Sequence, residues 1–190
     1  MGEDQPLGWV PVEGRGSLPF ALVHGESLVA AASWALGEAG VALFDASVPF
    51  DEVRRSGRAL VVHDPLCPLT PVGFLREAVA RSEEADAVVV GFRPVTDTVK
   101  HRDGDRLGAT VDRAGLREVT SPVVIPSTVL AGLDGPDGAE VLHGGDLAVL
   151  VAALAVLSEP VWLEAPALGR RVRDEEDLPD LEALSRASSA

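Results

Sequence analysis

The sequence predicts an α/β fold: a mostly parallel central sheet with helices on both faces and a protruding β-arm. Three observations carry that expectation. Apolar runs with the near-continuous hydrophobicity of strands covered on both sides occur at VALF (41–44), ALVVHD (59–64) and DAVVVGFRPV (86–95). Segments with helical spacing separate or follow them. Beyond residue 95 the period changes to a weak alternation around Asp103-Gly104-Asp105, the pattern of an antiparallel hairpin.

Taken in order, residues 1–8 read as a flexible leader, and WVPV (9–12) as a short first strand that breaks into the Gly- and Pro-containing loop EGRGSLP. GESLVAAASWALGEAG predicts a helix with Glu26 in its first turn and Gly37 or Gly40 at its end. VALF is expected as a buried strand, DASVPFDEVRRSG as a polar connection, and ALVVHD as the next strand. Thr70 is placed to cap a helix that has Pro71 at its first position and continues through FLREAVA. After the third strand come the arm (about 96–124), a short helix at 127–133, and a helix at 147–157 capped by Asp146. A strand at VWLEAP and an acidic helix at DEEDLPDLEALSRA end a single domain spanning 9–185, with 186–190 as a frayed tail.

Composition narrows the function classes. With 16 Lys and Arg against 30 Asp and Glu, the net charge of -14 argues against nucleic acid and anionic membrane as partners. The longest apolar run, 147–157, is shorter than the roughly 20 residues a membrane span needs. One cysteine, Cys67, fits a reducing compartment, and the acidic start lacks the features of a signal peptide, so a cytoplasmic protein is expected. Four histidines and one cysteine in no ligand spacing make a zinc site an unsupported reading.

The motifs HDPLCPL and PVTDTVKHRDGDRLGATVDRAGLREVTSP resemble, in content and order, those of the 2-C-methyl-D-erythritol 4-phosphate cytidylyltransferases. The family patterns are HDAARP, PVTDTIK and TVDRxGLWxxxTPQ. The match is specific over 59–126 and traceable over 9–36 and 170–181. The resemblance implies a Rossmann-like nucleotidyltransferase fold, dimerisation through the arm, and transfer of CMP from CTP to a sugar-alcohol phosphate with Mg2+, a step in isoprenoid precursor synthesis.

Residue by residue, the resemblance assigns Asp64 to the cytidine ribose and the metal, and Thr98, Arg113, Thr120 and Arg171 to the acceptor phosphate, with Thr98 and Arg113 reaching a neighbouring subunit. Gly14 and Gly16 stand for the nucleotide-binding loop, and Arg15 is the one cation available beside them. Departures gather on the nucleotide side. The loop VPVEGRGSLPFAL is shortened, Glu13 replaces a small residue, Phe20 falls where a lysine is expected, Cys67 replaces the arginine of HDAARP, and Gly144-Gly145 replaces a threonine-aspartate pair. The base-reading segment is cut down to DASVPFDEVRRSG.

A charge-assisted contact is worth about 1.5–3 kcal/mol, so two missing cations would cost on the order of 10²–10⁴ in rate. The expectation is a degenerate pseudoenzyme short of positive charge, needing no cofactor. It binds a phosphorylated small molecule or assembles as a homodimer, or as a heterodimer with an active paralogue. The alternative is an active nucleotidyltransferase with an altered donor or acceptor, using Mg2+.

Plainer roles stand beside these. Asp64 also suits a turn cap, and Thr98 and Arg113 suit the hairpin itself. Arg170 and Arg171 suit an offset to the acidic helix, and Trp9, Trp34 and Trp162 suit the core. His63 suits packing, and Cys67 lacks a neighbouring base.

Overall fold

Three valine-rich stretches meet at the centre of the computed structural model, which describes residues 5–45, 47–133 and 146–188. The strands are β1 (Leu7–Trp9), β2 (Leu22–Val23), β3 (Glu26–Ser27), β4 (Ala42–Leu43), β5 (Leu60–Val62), β6 (Val89–Pro94), β7 (Lys100–Asp103), β8 (Arg106–Thr110), β9 (Arg117–Ile125) and β10 (Val161–Glu164). The described helices are α1 (Leu28–Glu38), α2 (Phe50–Arg55), α3 (Val72–Ala85), α4 (Ser127–Leu130), α5 (Leu147–Leu154) and α6 (Leu178–Ser188). The main sheet runs β10-β6-β9-β5-β1-β4. Its strands are parallel except β9, which is antiparallel to both β5 and β6.

Strand pleating sends alternate side chains to opposite faces, and the core divides accordingly. Val61, Val89 and Val124 pack against Ala35 and Leu36 of α1 and Leu75 and Ala78 of α3. Leu60, Val62, Val90, Val123 and Ile125 pack against Val53 of α2, Leu130 of α4 and the apolar side of α5. Helices therefore cover both faces, as the unbroken apolar runs require. A third cluster of Val23, Leu28, Leu66, Val172, Leu178 and Leu181 seats α6 against the start of α1. That cluster later positions part of the site.

The arm is the antiparallel pair β7–β8 with Gly104 in its turn, and β8 is exposed along its whole length. It ends before the expected boundary, because β9 turns inward and is buried from Thr120 to Ile125. Among the described residues, no helix is long and apolar enough to cross a membrane.

Several expectations need correction. The first strand starts at Leu7, inside the supposed leader, because Leu7 and Gly8 pair with both β4 and β5. Glu26 lies in β3, and Ser27 caps α1 by accepting the Ala30 N–H. The VALF strand is a two-residue sheet edge with Leu43 exposed. The supposed connection DASVPFDEVRRSG contains α2, whose acidic first turn and basic last turn match the helix dipole. Thr70 does not cap α3; its hydroxyl donates to the Cys67 carbonyl, and Pro71 occupies the cap position. Trp34 is 66% exposed, on the solvent side of α1. The 147–157 helix stops at Leu154, while α6 continues through the supposed tail to Ser188. Asp146 does cap α5, accepting the Ala148 N–H at 2.8 Å.

Candidate functional site

Asp64 lies just past the carboxyl end of β5 and is 1% exposed. Its backbone N–H donates to Ser121 Oγ at 2.6 Å, tying the strand end to β9. A buried carboxylate needs compensation, and this one has three donors. Oδ1 accepts the Leu66 N–H at 3.0 Å and Arg15 Nε at 2.8 Å. Oδ2 accepts Arg171 Nε at 3.1 Å.

Each arginine has a structural reason for being there. Gly14 and Gly16 take positive φ values of 73° and 59°, which L side chains rarely adopt. The tight turn they make points Arg15 inward, where it is 8% exposed. Its Nη1 donates to the Glu13 carbonyl, and its buried Nη2 has no hydrogen-bond partner. Arg171 follows the 3-10 turn Ala167–Gly169. The next residue, Val172, donates its N–H to the Leu66 carbonyl at 2.7 Å and is buried in the α6 cluster. Packing of the C-terminal helix thus sets Arg171 beside the β5 end.

Two cavities open next to this group. The larger, about 620 Å³, is lined by Gly14, Arg15, Arg117, Asp146, Arg171 and Arg173, among others. The second, about 540 Å³, includes Arg93, Thr96, Asp97, Arg170, Arg171 and Arg173. Glu118 lies on both walls, as do Arg171 and Arg173. Against the expected shortage of positive charge, six arginines line the pair of cavities, four of them in ion pairs: Arg15 and Arg171 with Asp64, Arg170 with Asp177 and Arg173 with Glu118. Arg117 stacks over the rings of Phe92 and Trp162, 5.2 and 4.7 Å from their centroids. Arg173 pairs with Glu118 at 3.1 Å, and the hydrogen bond and charge of Glu118 raise its pKa further.

Sequence reasoning singled out Asp64, Arg15 and Arg171 separately, and the structure brings them into contact. It missed Arg93 and Arg173, which lie outside the quoted motifs, and Arg117, which stands at the tryptophan position of the GLW pattern; the three gather only through β6, β9 and the segment before α6. Thr98 and Arg113 are exposed, and neither lines these two cavities; Arg113 donates to the Thr96 carbonyl. Thr120 is completely buried with no partner for its hydroxyl, so it faces the interior and lines neither cavity. Phe20 is 61% exposed and does not fill the space near Asp64. Gly144-Gly145 lies outside the described residues. Burial, then the charge of Asp64, pushes the Cys67 thiol up to about 12, which disfavours a thiolate nucleophile.

The donor set does not suit Mg2+. A magnesium ion takes hard oxygen ligands at about 2.1 Å, and both oxygens of Asp64 already face guanidinium groups. Among the described residues, no group of three or more His, Cys, Asp or Glu could hold a metal ion.

His63 adds a pH-dependent term. Burial with no partner for either ring nitrogen pushes its pKa down from 6.5 to about 4, partly countered by Asp64. Between those values the unfolded chain binds a proton that the folded chain does not. This contribution to stability is complete above about pH 6.5 and falls by on the order of 3 kcal/mol toward pH 4. Urea melts across that range should show the decline in the native protein and a flatter profile in His63→Leu. An equal slope in both would assign it to other groups.

No family model matches the chain. It is 33% identical over 103 residues to the 2-C-methyl-D-erythritol 4-phosphate cytidylyltransferase of Corynebacterium glutamicum, covering 53% of this chain and 37% of that protein. It is 34% identical over 80 residues to a bifunctional IspD/IspF enzyme of Solidesulfovibrio magneticus, covering 42% and 20%. The chain thus spans well under half the length of these relatives. Among solved structures, the cytidylyltransferase of Thermus thermophilus superposes with a TM-score of 0.66 at 21% identity, covering 97% of this chain and 100% of that one. The Francisella tularensis protein gives 0.65 at 12%, covering 96% and 99%. At these identities the structural likeness shows the fold.

Proposed function

Because the chain belongs to the 2-C-methyl-D-erythritol 4-phosphate cytidylyltransferase family, we propose that it binds a phosphorylated small molecule in the arginine-lined cavities while transferring cytidylyl groups weakly or not at all. One observation carries this reading: Asp64 is buried between Arg15 and Arg171, with both carboxylate oxygens engaged. A carboxylate so held is poorly available to a metal or a ribose. The arginines around it suit phosphate, whose oxygens accept paired N–H bonds.

The abundance of arginine also favours a second reading, an active nucleotidyltransferase whose altered substrate draws Arg15 and Arg171 away from Asp64. Diphosphate release from CTP, measured with Mg2+ and a sugar-alcohol phosphate, separates the two. The expected result is no turnover, together with a rise in melting temperature on adding the sugar-alcohol phosphate alone. Arg173→Ala, a change at an exposed side chain on both cavity walls, should abolish that rise. Turnover at a normal enzymatic rate would establish the second reading, and no thermal response to any phosphorylated ligand would remove the first.

The exposed β8 edge supports pairing through the arm, with a second copy or with an active paralogue, in a reducing cytoplasm. Sedimentation of the same preparation checks self-association, and a monomer there would leave only the paralogue.

A further inference from the structure

We propose that this site holds its phosphorylated ligand without a divalent cation, Arg15 and Arg171 supplying at Asp64 the positive charge a metal would otherwise bring. The inference rests on the anion-binding reading above and concerns how that site is charged.

Arg15 and Arg171 each place Nε on a different oxygen of Asp64, at 2.8 and 3.1 Å. One carboxylate shared by two guanidinium groups leaves a unit of positive charge at the strand end. The buried Nη2 of Arg15 is without a partner, and Arg15 lines the larger cavity. A buried unpaired donor is costly, and a phosphate oxygen in that cavity would satisfy it. Arg171, whose side chain is one-third exposed, lines both cavities. Arg117 and Arg173 add cationic groups on the larger cavity's wall, opposed by Glu118 and Asp146.

A divalent ion entering here would have to displace a guanidinium from a carboxylate that is 1% exposed, against the repulsion of both arginines. A phosphate meets no such conflict, since it can bond to the outer nitrogens while the inner Nε contacts persist. Asp64 then acts as a positioning residue that aims two cations, and as a competitor for their charge.

The test uses the full chain and inorganic phosphate as probe, titrated by calorimetry in EDTA and again in excess magnesium. The expected result is the same affinity, within about twofold, in both conditions. Asp64→Asn removes the competing charge and keeps an acceptor, so phosphate should bind at least severalfold more tightly in that variant. Binding that requires magnesium, or that weakens in a folded Asp64→Asn protein, would overturn the proposal. If Asp64→Asn does not fold, the comparison on the native protein decides alone. Absence of phosphate binding in either condition would instead remove the anion-binding reading, and this inference with it.

Discussion

Arg15→Ala should lower the melting temperature by about 10 °C, the largest loss expected of a single change at the site. Removing one member of a buried ion pair costs about 3–5 kcal/mol, because the remaining charge stays buried without compensation. Here the remaining charge is Asp64, 1% exposed, which would keep Arg171 and the Leu66 N–H but lose its shorter cationic contact. The residual contacts put the loss near the lower end of that range. Replacing both partners, as in Arg15→Met with Asp64→Leu, should cost less than either single change, since both buried charges leave together and the cation that loses its partner, Arg171, is one-third exposed to solvent. Thermal and urea melts of the two single variants and the double variant measure the coupling directly. Additive losses would show that Arg15 and Asp64 contribute independently, contrary to the geometry.

Gly91→Ala should cost about 3 kcal/mol and disturb the site from behind. Gly91 lies in β6, between Val90 and Phe92, where the register against β9 shifts. A Cβ there would come within 2.6 Å of the Ser121 carbonyl oxygen and 2.8 Å of its carbon. Both are backbone atoms of an adjacent buried strand, so no rotamer change can relieve the clash; β6 and β9 must separate. Ser121 also accepts the Asp64 N–H through its hydroxyl, so that separation should loosen the carboxylate and its arginines. Urea melts give the stability loss, and phosphate titration of the folded fraction should show weaker binding. Gly37→Ala is the control: it is a helical glycine with open space at its Cβ position, and it should raise stability by about 0.5–1 kcal/mol. A Gly91→Ala protein as stable as the native chain would mean that the strands part without loss.

Much of the fold was readable because its causes are local. The runs ALVVHD and DAVVVGFRPV are apolar at consecutive positions, and only strands covered on both faces bury such residues; Val61, Val62, Val89 and Val90 are all completely buried. The arm was readable from a change of period and a turn at Gly104, whose φ is 56°. The cap at Asp146 follows from one side chain and its near neighbours. Helix α2 was missed although its charge order marks it, because a short polar segment containing Pro49 resembles a connection. Trp34 was misassigned to the core because residue type speaks to average burial, whereas its place on α1 faces solvent.

Legible in the residues alone were the family motifs, the alternation of strands and helices, the arm, and an aspartate at the end of a buried strand. The placement of the cations came from packing in three dimensions. Arg15 and Arg171 lie 49 and 107 residues from Asp64 and meet it because a glycine turn directs one inward and the α6 cluster seats the other. Range explains the division: strand and turn formation depend on neighbours a few residues apart, while the charge around a carboxylate depends on which distant side chains packing delivers to it.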